Sequence, residues 1–341
     1  MHGISAIIAV VLILLITISL AAGAYLFLSA TMSQTTAAAQ QGISQTMTQM
    51  TKSFAIEAVS GGKIWVRNTG QVPISNLTIY IDGAPANASN VVIQPGDVGV
   101  IQIYDVVDTS RPREIEIPGG TTTASKVVSG ESLRDPTLVG YWKFDEGSGT
   151  TAADSSGNGN SGILVNGPAW VDGKYGKALN FSGTNQYVTF GNSSIFLAQR
   201  ITVEVWVNRT GNKPWAQIVS TYNTYPNFGG WMIQTNDTGD GVKFGAVNYG
   251  DGLGWTDPSK APIEQNKWYF LVGTFNGTDL SFYLNGALVS STPLSAIQYA
   301  PTNTTIAGSL YYFAGVVDDV RIWSRALTPE EIWNHYVHGP I

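Results

Sequence analysis

The chain has 341 residues, a formal net charge of -6 and no cysteine. Because single cores rarely grow beyond about 250 residues, this length favours two or three domains. The absence of cysteine excludes disulfides and thiolate metal sites, and the acidic balance gives no basic surface for nucleic acid. Charged residues make up only 12% of a Gly-rich chain, a composition typical of turn-rich β structure.

The first predicted element is an apolar helix. Residues 4–28 carry no charge, and about 20 apolar residues suffice to cross a bilayer. Beyond Leu28, apolar residues recur at a helical spacing among Gln, Ser and Thr, which predicts an amphipathic continuation to residue 52. These residues are Met32, Ala39, Ile43, Met47 and Met50. A helix of roughly 70 Å is longer than a membrane requires, so we expect it to pack against partner helices.

Gly3 followed by ISAIIAVVLILLITISLAAGAYLFLS resembles the cleavage site and helical stem of archaeal type IV pilins and archaellins. The resemblance implies that a prepilin peptidase cuts between Gly3 and Ile4, leaving residues 1–3 as the leader remnant. It also implies that the freed helices leave the cell membrane for a filament core, as a homopolymer or with other pilins. These families usually have Lys or Arg where this chain has His2. An uncleaved signal anchor is the alternative.

Residues 53–118 alternate with a period of two between Asn-Thr-Gly, Asp-Gly and Pro-Gly turn signals, which predicts a small antiparallel β-sandwich. The run GKIWVRNTGQVPISNLTIYIDG within it resembles the immunoglobulin-like head of archaeal pilins. Residues 119–136 are rich in Gly, Thr and Ser, which predicts a linker.

From residue 137 to residue 341 the predicted strands are longer and rich in Trp. The motifs YWKFDEGSGT, DSSGNGNSG, YGKALNFSG, ITVEVWV and VVDDVRIWSRALTPEEI resemble a laminin-G-like, concanavalin A-like lectin jelly roll. SFYLNGALVS predicts a hairpin at Asn285 and Gly286, and Thr328 with Glu331 predicts a capping box that opens a C-terminal helix. The predicted fold is therefore mainly β, with one long N-terminal helix, a small immunoglobulin-like sandwich and a jelly roll.

One group of polar residues raises the question of a structural calcium ion. If Val320 and Ile322 face the core, strand alternation turns Asp318 inward, where a carboxylate needs compensation. The jelly-roll resemblance implies a calcium ion with oxygen ligands in this neighbourhood. The expected ligands are Asp145, Asp154, Asn158 and Asp318. The alternative is that Asp154 caps a Gly-rich turn and Asp318 accepts from backbone N–H groups, with no metal.

The aromatic residues fall into two groups. Trp142, Trp206, Trp268 and Trp323 lie inside strand patterns and are assigned to packing. Five others lie in or beside Gly-, Pro- and Asn-rich connections, where flat rings next to amides are typical of a carbohydrate site. They are Trp215, Tyr222, Tyr225, Tyr249 and Trp255. Plugging the ends of the sandwich is the alternative role.

N-x-[ST] sequons occur along the whole β region and favour an extracellular, glycosylated surface, although a chain rich in Asn, Ser and Thr also produces sequons by composition. They lie at Asn76, Asn87, Asn180, Asn192, Asn208, Asn236, Asn276 and Asn303.

Glycoside hydrolysis needs two carboxylates about 5 to 10 Å apart. The concanavalin-like glucanases place acidic residues alternately along one strand, whereas ITVEVWV offers Glu204 alone. We therefore predict no enzyme, but a cell-surface, extracellular filament subunit that is a single-pass membrane protein before assembly and whose jelly roll binds glycans or cell surfaces. The alternatives are a glycosylated coat without a ligand, a membrane-anchored ectodomain and a glycoside hydrolase.

Overall fold

A computed structural model of the protein describes residues 3–104, 111–119, 122–190, 196–221, 229–248, 252–257, 259, 261–299, 303–308 and 311–339. In chain order these residues form a long helix, a small β-sandwich and a larger jelly roll closed by a short helix. The predicted mainly β fold with one long N-terminal helix is confirmed.

The N-terminal helix α1 (Gly3–Thr51) contains 49 residues. Within the described residues it is the one helix long and apolar enough to cross a membrane, over Val10–Gln41, and none of that span is buried. The hydroxyls of Thr31 and Thr36 donate to the carbonyls of Phe27 and Met32, which satisfies these polar groups inside the helix. The exposed apolar surface of α1 therefore needs lipid or other helices around it.

The small sandwich follows α1 and consists of two antiparallel sheets. Its strands are β1 (Phe54–Ser60), β2 (Lys63–Asn68), β3 (Ile79–Ile81), β4 (Ala84–Ala86), β5 (Val98–Gln102), β6 (Arg113–Gly119) and β7 (Thr122–Val128). One sheet has the order β1-β2-β5 and the other the order β4-β3-β6-β7. Alternating side chains such as Ile64, Val66, Ile115 and Ile117 are fully buried in a shared apolar core.

The predicted linker at residues 119–136 is wrong for most of its length. β7 lies inside this range and pairs with β6 from Gly119 opposite Thr122 to Arg113 opposite Val128. A 3-10 helix follows at Gly130–Leu133, and Leu133 is buried in the core of the small sandwich. Gly, Thr and Ser gave this stretch the composition of a linker, but its Thr and Val residues are β-branched and favour the edge strand that they form.

The jelly roll consists of two packed sheets. The front sheet has the order β18-β17-β16-β15-β22-β13-β10-β9, and the back sheet has the order β11-β12-β23-β14-β19-β20-β21, with β8 also paired to β23. The front strands are β9 (Thr151–Ala152), β10 (Gly162–Val165), β13 (Tyr187–Thr189), β15 (Gln217–Ser220), β16 (Trp231–Thr235), β17 (Val242–Asn248), β18 (Gly252–Trp255) and β22 (Thr305–Ile306). The back strands are β8 (Leu138–Trp142), β11 (Ala169–Asp172), β12 (Lys177–Ser182), β14 (Ile201–Arg209), β19 (Trp268–Phe275), β20 (Asp279–Leu284), β21 (Ala287–Pro293) and β23 (Ala314–Trp323).

One apolar core lies between the two sheets and takes alternate side chains from each, including Ile233 and Phe244 of the front sheet and Val203 and Ile322 of the back sheet. The tryptophans assigned to packing behave as predicted. Trp142, Trp206 and Trp323 are buried, and Trp268 is half-buried against a second cluster on the outer face of the back sheet.

The short helix α2 (Pro329–His338) closes the jelly roll. Its predicted capping box is confirmed, because Thr328 accepts from the Glu331 backbone N–H and Glu331 accepts from the Thr328 backbone N–H. Its apolar residue Ile332 is buried in the cluster on the outer face of the back sheet that also contains Trp206. The predicted hairpin turn is also confirmed, since Asn285 and Gly286 adopt φ values of 51° and 80° between β20 and β21.

Candidate functional site

A row of long polar side chains crosses the outer face of the front sheet. Gln217 of β15 lies opposite Gln234 of β16, which lies opposite Lys243 of β17. Their neighbours Ile233 and Phe244 point into the core, so strand alternation places the three polar residues on the opposite face. Within the described part of the chain, neither glutamine side chain makes a hydrogen bond, so both amides keep unused donors and acceptors, although Gln217 is 2% exposed and Gln234 5% exposed.

The ammonium group of Lys243 lies between two indole rings. Its Nζ is 4.6 Å from the ring centroid of Trp215 and 4.0 Å from that of Trp255. Lys243 is only 7% exposed, whereas Trp215 is 43% exposed and forms the open edge of the site. Cation–π contacts of this kind position both rings and the amine at one place on the sheet. We call these three residues, with Gln217 and Gln234, the Trp-Lys-Trp site.

The charge in this site is incompletely compensated. Burial lowers the pKa of the Lys243 ammonium, and the nearby carboxylate of Asp237 opposes that shift. Among the residues that the structure describes, Lys243 forms neither an ion pair nor a hydrogen bond. The three N–H donors of the ammonium group are therefore free to bond a ligand.

Backbone geometry explains why both rings converge on Lys243. Gly245 lies opposite Trp255 in the β17–β18 ladder, and a Cβ on Gly245 would lie 2.1 Å from the Trp255 ring. The missing side chain thus allows the indole to lie flat on β17. On the other side, Trp215 has a φ of 59° in the turn before β15, and its N–H donates to the Asn236 carbonyl at 3.0 Å.

Two of the five predicted carbohydrate contacts, Trp215 and Trp255, are brought together in this site. Tyr222, Tyr225 and Tyr249 lie outside the described residues, so their assignment stays a prediction. Sequence reasoning missed Lys243, Gln217 and Gln234. Their signal is a single polar residue within apolar strands, as in VKFGAVN and WMIQT, but it reads equally well as an ordinary solvent-facing position until the strand order is known.

The expected inward orientation of Asp318 is wrong. Trp206 of β14 lies opposite Asp318 and Glu204 lies opposite Arg321, so one residue of β14 faces two residues of β23. This is a β-bulge, and Asp319 in it has a φ of 45°. The bulge resets the alternation, so that Val320 faces the core while Asp318 lies on the outer face of the back sheet.

The four residues expected as calcium ligands each hydrogen-bond groups of the protein, and the calcium ion itself stays a prediction. Asp318 accepts from the backbone N–H groups of Lys174, Tyr175 and Asp319, at 2.8 to 3.0 Å. Within the described ranges, no group of three His, Asp or Glu residues is placed to hold a metal ion.

The other three expected ligands also bind protein groups. Asp154 accepts from the backbone N–H groups of its own Gly-rich turn and of Tyr141, Asp145 accepts from that of Lys177, and Asn158 donates to the Leu138 carbonyl. Backbone N–H groups thus bond all three carboxyl groups, as the alternative without metal describes, while the presence of calcium stays a prediction.

Stability should fall as the pH rises from about 4 to about 8 and level off above that, because burial and the Asp319 carboxylate raise the pKa of Asp318 from 3.8 to about 8. The folded state then holds a proton that the unfolded chain has lost, so this contribution is present at low pH and lost as the pH passes 8. We expect Asp318→Asn to flatten the pH dependence of the melting temperature. Asp172→Asn is the control, since Lys177 lowers the pKa of that exposed carboxyl. An unchanged slope in Asp318→Asn would contradict the assignment.

Glu204, the one acidic residue of its strand, is not available for chemistry. It is fully buried on the outer face of the back sheet, where its carboxylate contacts His335 Nδ1 at 2.9 Å and Arg321 Nη1 at 3.6 Å. The Trp-Lys-Trp site lies on the other sheet. Glu204 therefore does not serve a ligand bound there.

The processing and glycosylation assignments stay predictions. Gly3 is the first residue of α1, and Met1 and His2 lie outside the described residues. Among the sequons, Asn76, Asn276 and Asn303 are exposed, and Asn87 and Asn236 are half-buried. Asn180 and Asn208 lie half-buried in β12 and β14, and Asn192 lies outside the described residues.

Residues 182–333 match the family model described as the concanavalin A-like lectin/glucanases superfamily, of laminin G type. The chain thus carries a domain of this kind behind an apolar N-terminal helix, as the jelly-roll motifs indicated. No curated protein matches the chain.

Several solved structures are similar to part of the chain. Domain 4 of a GH43 extracellular arabinanase from Geobacillus stearothermophilus, in complex with arabinotriose, is 19% identical, with 58% of this chain and 97% of that chain covered and a TM-score of 0.48. The binding domain of Paraclostridial Mosquitocidal Protein 1 is 19% identical, with 59% of this chain and 52% of that chain covered and a TM-score of 0.47. The botulinum neurotoxin serotype G binding domain is 15% identical, with 58% of this chain and 50% of that chain covered and a TM-score of 0.46. The chain spans about half the length of these two toxin domains.

Proposed function

We propose that this chain is a surface protein whose jelly roll binds carbohydrate at the Trp-Lys-Trp site, without catalysis. The observation that carries the proposal is the placement of two indole rings and two unbonded glutamine amides on one face of the front sheet. Indole rings stack on the apolar face of a sugar, and amides bond its hydroxyl groups. The match to the lectin/glucanases superfamily supports this function.

Binding rather than hydrolysis is proposed because the described part of the site holds no pair of carboxylates. Glu204 is buried beneath α2, and Asp237 is the one acidic residue that acts on Lys243 through space. A retaining or inverting glycosidase needs two such groups across the scissile bond. A glycoside hydrolase is therefore the less favoured function.

A glycan array probed with the full-length chain in detergent micelles tests the binding function. We expect Trp255→Ala to lower affinity for the bound glycan about tenfold or more, because a stacked tryptophan is the kind of residue that dominates binding energy. Gly245→Ala should act in the same direction by displacing the Trp255 ring. Trp333→Ala is the matched control, since that residue is 52% exposed on α2 and remote from the front sheet. Absence of any binding by the folded protein would favour a coat without a ligand.

We further propose that α1 assembles the chain into a filament of type IV pilin kind. An apolar surface running from Val10 to Met32, continued by a polar half up to Thr51, exceeds what one bilayer crossing of about 20 residues uses. Copies packed side by side would replace lipid around this helix. Weak sugar sites would then act together along the polymer through avidity.

Mass spectrometry and immunogold microscopy test the assembly. We expect the mature surface protein to begin at Ile4 and antibodies against the jelly roll to label filaments. Gly3→Leu should block processing, because a bulky residue replaces the small one at the cleavage site, and should leave the chain in the membrane. An intact N-terminus on an unassembled surface protein would favour a membrane-anchored ectodomain.

A further inference from the structure

We propose that the ligand of the Trp-Lys-Trp site is an acidic sugar, one that carries a carboxylate. This inference rests on the proposed carbohydrate function and specifies its ligand class. It starts from Lys243, which is more than nine-tenths buried and whose ammonium group has no ion pair or hydrogen bond among the described residues.

A buried cation without a direct ion pair or hydrogen bond is unusual, because removing an ammonium group from water is costly unless an anion or hydrogen bonds replace the solvent. The two indole rings compensate part of that cost through cation–π contacts at 4.6 and 4.0 Å. Aromatic faces supply no hydrogen-bond acceptor of the strength of an oxygen anion. A carboxylate oxygen at Nζ supplies both the charge and the acceptor.

The surroundings of Lys243 distinguish a singly charged sugar from other anions. Gln234 lies directly opposite Lys243 on the next strand, so one amide adjoins the ammonium group and is suited to a neighbouring hydroxyl. Asp237 places a negative charge nearby, and the whole chain carries a net charge of -6. These negative charges disfavour binding of a polyphosphate or a nucleic acid. A sugar with a single carboxylate matches the site better, because the site offers one cation for the carboxylate, two amides for hydroxyl groups and two indole rings for the sugar ring.

The test compares the same sugars with and without their charge. Uronic-acid oligosaccharides from polygalacturonate, alginate and hyaluronan are paired with their carboxyl-reduced, neutral forms and titrated against the full-length protein in detergent micelles. At least one acidic form should bind about tenfold or more tightly than its reduced counterpart. That preference should weaken as sodium chloride is raised, whereas binding of the neutral form should change little.

Two variants attribute the preference to Lys243. Lys243→Met keeps an apolar stem between the indole rings, so it should bind the acidic and reduced forms equally, at the affinity of the reduced form. Lys243→Arg keeps the charge and should retain the preference. Equal binding of the two forms by the unaltered protein, or a preference that survives in Lys243→Met, overturns this inference while leaving carbohydrate binding intact. If no sugar on either panel or array binds, the proposed function and this inference both fail. The comparison on the unaltered protein decides the matter even if a variant does not fold.

Discussion

His335→Ala should destabilise the jelly roll by about 3 kcal/mol, because the substitution leaves the buried Glu204 carboxylate with a single, longer ion pair. His335 Nδ1 contacts Glu204 Oε1 at 2.9 Å and Oε2 at 3.1 Å, and the remaining partner, Arg321, lies at 3.6 Å. For a domain of this size, that loss corresponds to a fall of about 6 to 12 °C in melting temperature. Calorimetry of the full-length protein in detergent measures it.

The same histidine also joins the two β domains. Its Nε2 lies 3.0 Å from the backbone carbonyl of Tyr104, which follows the last strand of the β1-β2-β5 sheet, and its ring stacks on Trp323 at 5.4 Å. We therefore expect His335→Ala to separate the unfolding of the small sandwich from that of the jelly roll into two transitions, in addition to lowering the melting temperature.

His338→Ala is the matched control for this prediction. His338 lies one turn further along α2 and is exposed, and among the described residues its ring hydrogen-bonds the Asn334 carbonyl in its own helix. Its loss should change stability by less than about 0.5 kcal/mol. Equal melting temperatures for His335→Ala and His338→Ala would show that the buried pair contributes nothing measurable.

Trp142→Ala should lower the free energy of unfolding by about 3 to 5 kcal/mol, the range for removing a large aromatic side chain from a packed core. The Trp142 ring is fully buried, with the Phe190 ring centroid at 4.1 Å and that of Phe196 at 5.9 Å. Its Nε1 donates to the Asn160 carbonyl at 2.8 Å, which ties the Gly-rich turn after Asp154 to the core. Denaturant unfolding should show a lower midpoint, and proteolysis should cut the turn faster.

Two further substitutions make this prediction specific. Trp333→Ala removes a ring that is 52% exposed and should have little effect on the midpoint. Gly140→Ala should mimic the loss of Trp142 in part, because its added Cβ would lie 2.3 Å from the Trp142 ring. A midpoint for Trp142→Ala within error of that for Trp333→Ala would be inconsistent with the packing described.

Sequence patterning was sufficient for the elements whose signals are local. The run after Gly3 indicates a membrane-crossing helix because it is uncharged and predominantly apolar over more than 20 residues, and the capping box at Thr328 and Glu331 lies within one helical turn. The turn at Asn285 and Gly286 is equally local, since few residue pairs tolerate two positive φ angles. These predictions needed no knowledge of distant partners.

Only the tertiary structure placed the residues whose roles depend on neighbours from other strands. The bulge at Asp319 turned Asp318 away from the core, and the pairing of β6 with β7 turned an apparent linker into a strand. Lys243 gained its importance from Trp215 and Trp255, which come from elements about 28 residues before and 12 residues after it and meet only through the strand order of the front sheet. Apart from β7, the sequence thus determined which segments form helix and strand, because that follows from local periodicity. Strand register and long-range pairing decided which rings, amides and charges share one surface.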